Sequence, residues 1–261
     1  MKHIFLLFSA AGIIASCNNS TTIKSAEAAK NTDVLQQNLL GKVQRIEQST
    51  FTVDSTGKSK QDSLVSIMDF DEKGYQPAYS TKDLSGKMHA EQTFKHDDKG
   101  TFLEMVSKKD GKPDSRLVTE IDKDGKYMGG KRFDSTGKQD GYYTDLMTNE
   151  YGAVYAGKFH KMNGDVFSSW NSSFKGPLYI GGSSSDSMGK VSYIDSVKLD
   201  EKGNPVEDVL TTKRTADAKT EKTSFKYDAF DEQGNWTQRT SYNEKGKATK
   251  IEKRTITYYQ K

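Results

Sequence analysis

The heptapeptide FDEQGNW at residues 230–236, with its many relatives along the chain, decides the fold. Asp231 can accept hydrogen bonds from backbone N–H groups just after it, and Gly234 can adopt the positive φ of a tight hairpin with a bulge. Aromatic residues flank the turn, as expected for two paired strands. The stretch therefore predicts a β-hairpin turn, in which Gly234→Val should destabilise the fold without removing an activity.

Turns of this kind recur at regular intervals. From Gly74 to Gly164 the steps between turn glycines run from 11 to 15 residues. This regularity indicates an internal repeat with two interleaved turn types and a unit of about 26 residues. Weaker turns predicted at 175–177 and 215–220 divide the two longer gaps. Subtracting the turns leaves strands of about eight residues.

The spacing predicts an all-β fold, an antiparallel meander of roughly sixteen short strands in tandem hairpin repeats. Counting Gly and leaving out Tyr, apolar residues make up about 36% of the chain, against roughly 45–50% in globular domains. A closed barrel, a curved open sheet and a solenoid of hairpins all fit the spacing. The low apolar content predicts a thin core, and a thin core favours a curved or elongated sheet. Alternation in VQRIEQSTFTV at 43–53 places Val43, Phe51 and Val53 on one face.

The first residues carry an export signal. Lys2 and His3 precede the apolar run IFLLFSAAGIIA, which is too short to span a membrane and is followed by Ser16 and the only cysteine, Cys17. IASC at 14–17 resembles the lipobox of bacterial lipoproteins, which implies cleavage before Cys17 and acylation of its thiol, with palmitate as one expected acyl group. The resemblance implies a signal peptide at 1–16 and a lipidated Cys17. The polar, aromatic-poor stretch that follows predicts a flexible tether up to residue 38, and one β-hairpin repeat domain is expected at 39–261.

The repeats themselves resemble a known group. FDEKGY at 70–75 and the long stretch at 227–259 are similar to the YD-repeat, RHS-like sequences of envelope lipoproteins in Bacteroidetes. The resemblance covers most of residues 42–260 and implies hairpin architecture and a role in the cell envelope. NNSTT after Cys17 lacks the acidic run associated with surface display in this phylum. A membrane-anchored protein that faces the periplasm is therefore expected.

Five Asp-Ser tripeptides are similar to the O-glycosylation signal of exported Bacteroidetes proteins. The resemblance implies sugars on Ser55, Ser63, Ser135, Ser187 and Ser196. Asp-Ser is also common in turns, and three of the five tripeptides lie in predicted turns. Both interpretations remain open at the level of sequence.

Catalysis is not expected. His89, His96 and His160 lie in different repeats without a metal-ligand spacing, and the three Ser-x-x-Lys matches lie in turns rather than at helix starts. The Asp-rich turns lack the ligand spacing of a calcium loop. We therefore predict no enzyme, metal or cofactor. The formal charge of +3 also gives no electrostatic case for nucleic acid.

Two functions remain. A third, less favoured one is a hydrolase whose Ser, His and Asp residues would converge from distant repeats. The leading hypothesis is a lipid-anchored, non-catalytic envelope protein whose repeat surface binds a partner protein or a surface polymer. The alternative is an envelope carrier or receptor that holds a small apolar or sugar ligand in the concave face of the sheet. The aromatic residues expected to contact such a ligand or partner are Tyr155, Phe167, Trp170 and Tyr193.

Overall fold

A computed structural model describes residues 32–213 and 218–260. It contains one short helix, α1 (Asp33–Gln36), and sixteen antiparallel strands that follow one another around a closed barrel. The strands are β1 (Val43–Val53), β2 (Ser59–Asp69), β3 (Ala78–Asp83), β4 (Met88–His96), β5 (Phe102–Lys109), β6 (Lys112–Ile121), β7 (Tyr127–Phe133), β8 (Gln139–Thr148), β9 (Val154–Lys161), β10 (Val166–Lys175), β11 (Leu178–Asp186), β12 (Val191–Leu199), β13 (Pro205–Thr212), β14 (Lys219–Phe230), β15 (Trp236–Asn243) and β16 (Ala248–Tyr258). The predicted antiparallel meander and the number of strands are confirmed.

The expected open or elongated sheet is wrong, because β1 pairs with β16 from Val43↔Tyr258 to Thr52↔Lys250. This pairing leaves the meander without a free edge. Sixteen strands about 4.8 Å apart give a backbone radius of at least about 12 Å, wide enough for an aqueous lumen. The low apolar content therefore reflects a barrel without a packed centre.

The predicted turn in FDEQGNW at residues 230–236 forms as expected. Asp231 Oδ1 accepts hydrogen bonds from the N–H groups of Gln233 (3.0 Å) and Asn235 (2.9 Å). Gly234 has φ of +91° and donates its N–H to the carbonyl of Asp231. The predicted turn at 175–177 also exists, with Gly176 between β10 and β11. The turn predicted at 215–220 falls partly on residues outside those the structure describes.

The turns lie at two rims of the barrel. We call one the cap rim, formed by turns at 71–74, 97–100, 122–125, 149–152, 175–177, 200–203 and 231–234. The other, the far rim, contains turns at 54–57, 83–86, 110–111, 134–137, 161–164, 186–189 and 243–246. The two interleaved sets of turns predicted from the sequence therefore correspond to the two ends of one barrel, although most turns at both ends share one hydrogen-bond pattern.

Residues 32–41, which we call the cap, lie across the cap rim. The Val34 N–H donates to the Gly74 carbonyl at 3.1 Å, and Asn38 Nδ2 donates to Asn204 Oδ1 at 2.8 Å. Asn235 accepts from the Leu40 N–H at 2.7 Å, and α1 also contacts β11. These partners are spread around the ring, so a short segment can reach them only by crossing the end of the barrel.

Thr32 is the N-cap of α1, and its hydroxyl accepts a hydrogen bond from the Leu35 N–H. Residues 32–38, which the sequence analysis places in the tether, therefore contact the barrel. Among the described residues, no helix is long and apolar enough to cross a membrane.

The cap identifies the lumen face of each strand. Ile46 is fully buried against Val34 and Leu39 of the cap, and its register partners are Met68 and Ile256. Side chains alternate between the two faces of a strand. Following the pairings from Ile46 around the ring therefore shows which residues of each strand face the lumen and which face outward. On the outward face of the described barrel, six ion pairs join different strands: Arg45–Asp69, Lys82–Glu47, Arg116–Glu104, Lys131–Glu120, Lys158–Asp145 and Lys222–Glu207.

One face assignment from the sequence is wrong. A bulge between Val43 and Arg45 shifts the register of β1 against β16. Val43 joins the buried cluster beneath the cap, whereas Phe51 lies on the outward face under Lys253, whose Nζ is 5.2 Å from its ring centroid. A bulge reverses the alternation of all residues beyond it, and nothing in the local sequence marks this one.

Candidate functional site

The lumen face of β8, β9 and β10 carries a cluster of aromatic rings, which we call the aromatic wall: Tyr143, Phe159, Phe167 and Trp170. The Tyr143 ring centroid is 4.9 Å from that of Phe159 and 6.0 Å from that of Trp170. Phe159 meets Phe167 edge to face at 6.0 Å. These separations are those of favourable aromatic pairs, so the wall is a continuous apolar surface on the lumen face.

Glycines in the neighbouring strands let two of these rings lie flat on the barrel wall. A Cβ at Gly141 would lie 2.3 Å from the Phe159 ring, and a Cβ at Gly157 would lie 2.5 Å from the Trp170 ring. Any larger residue would therefore push the ring off the sheet. Phe159 is buried and Trp170 half-buried, so Trp170 retains ring surface that can contact a ligand.

Charged groups border the aromatic wall. The guanidinium carbon of Arg132 lies 4.5 Å from the Phe159 ring centroid, and Asp140 holds that guanidinium through two hydrogen bonds of 2.9 and 2.6 Å. Lys161 Nζ lies 5.5 Å from the Phe167 ring centroid. Burial raises the pKa of Tyr143, which is consistent with its place inside the wall. The wall therefore combines apolar ring faces with fixed positive charge.

A cavity of about 250 Å³ lies beside the aromatic wall towards the far rim. Phe167 contributes the aromatic surface, and hydroxyl and ammonium groups supply most of the rest. The lining residues are Phe167, Ser168, Ser184, Ser185, Asp186, Ser187, Lys190, Ser192 and Lys213. The hydroxyls of Ser184 and Ser192 are 3.3 Å apart, and Ser192 also donates to the Ser184 carbonyl. One ring face among several hydroxyls suits a polyhydroxylated ligand.

A second cavity, of about 180 Å³, lies near the cap rim and includes Tyr155 together with Tyr151 and Phe174. Tyr193 is on the lumen face of β12, where it pairs with Ser184 and Thr212. All four aromatic residues selected from the sequence therefore face the lumen. Phe167 and Trp170 share the aromatic wall, whereas Tyr155 and Tyr193 lie to either side of it.

Two lumen carboxylates were not anticipated. Asp195 and Asp208 lie on the adjacent strands β12 and β13, and the Tyr179 hydroxyl donates to Asp195 Oδ2 at 2.5 Å. Oδ1 of Asp195 and Oδ1 of Asp208 are buried, and none of the described residues donates a hydrogen bond to them. Burial raises the pKa of both carboxyl groups, and the charge of Asp195 raises that of Asp208 further. Nothing in the sequence distinguishes them from surface aspartates.

Arginines on the opposite wall were also missed. Arg239 of β15 and Arg254 of β16 both lie over the indole of Trp236, with guanidinium carbons 4.7 and 3.6 Å from its ring centroid. In the ring of sixteen strands β16 is eight positions from β8, so this group faces the aromatic wall across the lumen. The spacing of Trp236, Arg239 and Arg254 along the chain gives no signal for this convergence.

The histidines lie in three separate places. His89 bridges Asp83 (3.1 Å) and Asp110 (2.9 Å) at the far rim. His96 stacks on Tyr75 at the cap rim, and His160 stacks on Tyr142 on the outward face. Over residues 32–213 and 218–260, no group of three His, Cys, Asp or Glu side chains is arranged to hold a metal ion.

The serines with Asp-Ser tripeptides are all exposed. Ser55, Ser135 and Ser187 lie in far-rim turns, whereas Ser63 is on β2 and Ser196 on β12. This exposure would permit glycosylation, which stays a prediction. The signal peptide and Cys17 lie outside the described residues.

Comparison with known proteins supports the architecture. No protein-family model matches the chain, and no curated protein matches it. A crystal structure of a porin-like protein from Bacteroides uniformis is similar, with a TM-score of 0.54, 10% identity, and coverage of 82% of this chain and 96% of that one. The structure of TcdB2-TccC3 aligns with a TM-score of only 0.24, at 10% identity over 77% of this chain and 16% of that one. The first likeness shows that the chain has the β-barrel fold of a porin-like protein.

Proposed function

We propose that this protein is a non-catalytic, lipid-anchored envelope protein that binds a saccharide in its lumen. The observation that carries the proposal is the 250 Å³ cavity, in which Phe167 faces a set of serine hydroxyls beside Trp170 of the aromatic wall. Ligand sites combine apolar surface with a few convergent polar groups, and this cavity lies just below their usual size of about 300–1,000 Å³. It can therefore hold one sugar ring of a longer chain that extends into the lumen.

Charge on the barrel surface favours a body that stays in water. The six outward ion pairs are distributed around the ring, where a lipid-facing barrel has an apolar band. The porin-like neighbour fits an envelope or transport-related role. The lipobox-like IASC would supply the attachment to a membrane. In this arrangement the barrel is a carrier or receptor held at a membrane surface.

Binding of a saccharide is tested by titration calorimetry of residues 17–261 with a panel of glucose, galactose and mannose oligosaccharides. Phe167→Ala should weaken binding of any active sugar by about fivefold or more, because Phe167 supplies the aromatic face of the cavity and stacking on such a face contributes about 1 kcal/mol. Phe51→Ala is the matched control, since it removes an aromatic ring from the outward face. A sugar that binds Phe167→Ala and the unaltered protein equally would exclude the cavity as its site.

The same experiment also tests the alternative that the lumen binds a small apolar ligand. Neutral N-phenyl-1-naphthylamine would bind in place of sugars if the aromatic wall alone formed the site. If neither the sugars nor this probe bind, the hypothesis that the outer surface binds a partner protein or polymer is favoured. A cross-linked pull-down from the native host would then test it.

A further inference from the structure

The wall opposite the aromatic wall contains an arginine whose hydrogen-bonding capacity is largely unused. The guanidinium of Arg254 is stacked on the indole of Trp236, with its carbon 3.6 Å from the ring centroid. Arg239 lies over the same indole and over Phe225, at 4.7 and 4.9 Å. Two guanidinium groups and two aromatic rings therefore form one compact cluster on the lumen face.

The single carboxylate in this cluster is already occupied. Glu252 Oε2 accepts from Arg239 Nε at 2.5 Å, and Glu252 Oε1 accepts from Gln48 Nε2 at 3.1 Å. Two guanidinium groups against one carboxylate leave one positive charge uncompensated within the cluster.

Arg254 donates its Nε–H to Gln48 Oε1 at 2.8 Å. Within the described chain, no partner accepts from its two terminal amino groups, Nη1 and Nη2. A guanidinium has five N–H donors in a rigid fork, so four remain available on Arg254. The stack on Trp236 and the bond to Gln48 fix the plane and the rotation of the group, and leave the Nη1–Nη2 edge for a ligand.

The surroundings of Arg254 disfavour its charge. The side chain is half-buried, and burial together with the nearby charge of Arg239 lowers the pKa of Arg254 to about 9. A bound anion would relieve both effects, because it supplies the opposite charge and accepts the unused hydrogen bonds.

We propose that Arg254, held by Trp236 and Gln48 and supported by Arg239, binds an oxyanion in the lumen, namely a carboxylate or phosphate group of a ligand. Both groups present two oxygens at the spacing of the Nη1–Nη2 edge and accept a bidentate pair of hydrogen bonds. The inference goes beyond the proposed saccharide site, which lies on the other wall, and it holds whether or not the aromatic wall binds a sugar.

The chain contains two tryptophans, so Trp170→Phe leaves Trp236 as the only indole and makes it a direct reporter of the site. We would titrate this variant with sodium phosphate and with sodium acetate, using sodium chloride at equal ionic strength as reference. The expected result is a saturable change in Trp236 fluorescence with phosphate or acetate but not with chloride. The anion that binds more tightly identifies the chemical class of the ligand group.

Arg254→Gln should weaken this binding about tenfold or more, because it removes the charge and the fork. Arg254→Lys keeps a positive charge without the fork and should lose most of the affinity, which covers the case that the glutamine variant does not fold. Lys253→Gln is the matched control, since it removes the adjacent charge from the outward face and should bind like the parent. A phosphate and acetate response equal to that of chloride, or equal losses in Lys253→Gln and Arg254→Gln, would overturn the proposal.

Discussion

The two rims of the barrel use the same turn in different surroundings. At the cap rim, Gly100 donates its N–H to Asp97 O at 3.0 Å, and at the far rim Gly137 donates to Asp134 O at the same distance. Both glycines have positive φ, at +84° and +82°. A Cβ at Gly100 would nevertheless lie 2.0 Å from the Tyr75 hydroxyl, whereas nothing lies within 4 Å of a Cβ at Gly137. Local sequence therefore forms the turn, and position in the barrel decides what the turn tolerates.

The residue after the turn glycine differs between the rims. At the far rim it is usually lysine: Lys58, Lys87, Lys112, Lys138, Lys190 and Lys247. At the cap rim Tyr75 follows Gly74, and this tyrosine is buried against the next turn at Gly100. Tyrosines also connect neighbouring turns there, as when the Phe102 N–H, after the turn at 97–100, donates to the Tyr127 hydroxyl, after the turn at 122–125, at 2.8 Å. The cap rim is thus a packed structure, whereas the far-rim turns are exposed and are joined by polar contacts such as those of His89 with Asp83 and Asp110.

The largest expected difference is between Gly100→Ala and Gly137→Ala. Each variant should lose about 1–2 kcal/mol because alanine disfavours positive φ. Gly100→Ala must also displace the Tyr75 ring, so its total loss should reach about 3 kcal/mol or more. Urea unfolding monitored by tryptophan fluorescence measures both, and equal losses would show that the rims are packed alike.

Leucines at the two rims give the next contrast. Leu39 of the cap is 4% exposed, whereas Leu84 in a far-rim turn is 61% exposed. Leu39→Ala should cost about 2–4 kcal/mol of unfolding free energy, because it leaves a cavity in the cluster beneath the cap. Leu84→Ala should cost less than about 0.5 kcal/mol. A small effect of Leu39→Ala would mean that the cap adds little to the stability of the barrel.

Asn235 and Asn163 differ in the polar contacts that they make at the two rims. Asn235 Nδ2 donates to the Leu40 carbonyl (2.9 Å) and to the Tyr258 hydroxyl (2.7 Å), and its Oδ1 accepts from the Leu40 N–H. Asn163 at the far rim forms side-chain hydrogen bonds with Asp165, two residues on in the same hairpin. Asn235→Ala should therefore cost about 2 kcal/mol and Asn163→Ala about 0.5 kcal/mol. Thermal unfolding of the two variants side by side provides the measurement, and the reverse order would contradict the role assigned to Asn235.

The smallest expected effect is a difference in pH dependence. Burial raises the pKa of Asp33 in the cap, in spite of the hydrogen bond from the Gln76 N–H. The Thr136 hydroxyl lowers the pKa of Asp134 at the far rim, and the Thr136 and Lys138 N–H groups lower it further. Ionisation of Asp33 thus disfavours folding, and its cost disappears as the pH falls through the raised pKa. Ionisation of Asp134 favours folding above its unfolded pKa near 3.8, and that benefit is lost as the pH falls towards the lowered value.

Melting temperatures between pH 3 and pH 7 separate these two contributions. Relative to the parent protein, Asp33→Asn should become more stable as the pH rises, whereas Asp134→Asn should become less stable. If the stability difference from the parent protein changed with pH in the same direction for both variants, the difference in burial between the rims would be contradicted.

The sequence predicted the parts of the molecule that depend on local chemistry. Turn residues such as Asp231 and Gly234 set the hairpins, and their spacing gave the number of strands and the weak turn at Gly176. Closure was not predictable, because β1 and β16 pair across more than 200 residues of sequence without a local signal. The aromatic residues were assigned to a concave face by composition, and the structure places them in the lumen. The cluster of Trp236, Arg239 and Arg254 depends on register between strands, which one sequence does not reveal.

Native-state hydrogen exchange tests the central claim, that one end of the barrel is closed by packing and the other is a ring of exposed turns. The amides of Gly74, Gly100 and Gly234 make the same turn hydrogen bond as those of Gly57, Gly137 and Gly189. We predict that the cap-rim amides exchange at least about tenfold more slowly, because opening them must also break contacts with the cap or, at Gly100, with Tyr75. Equal exchange rates at the two rims would contradict the account.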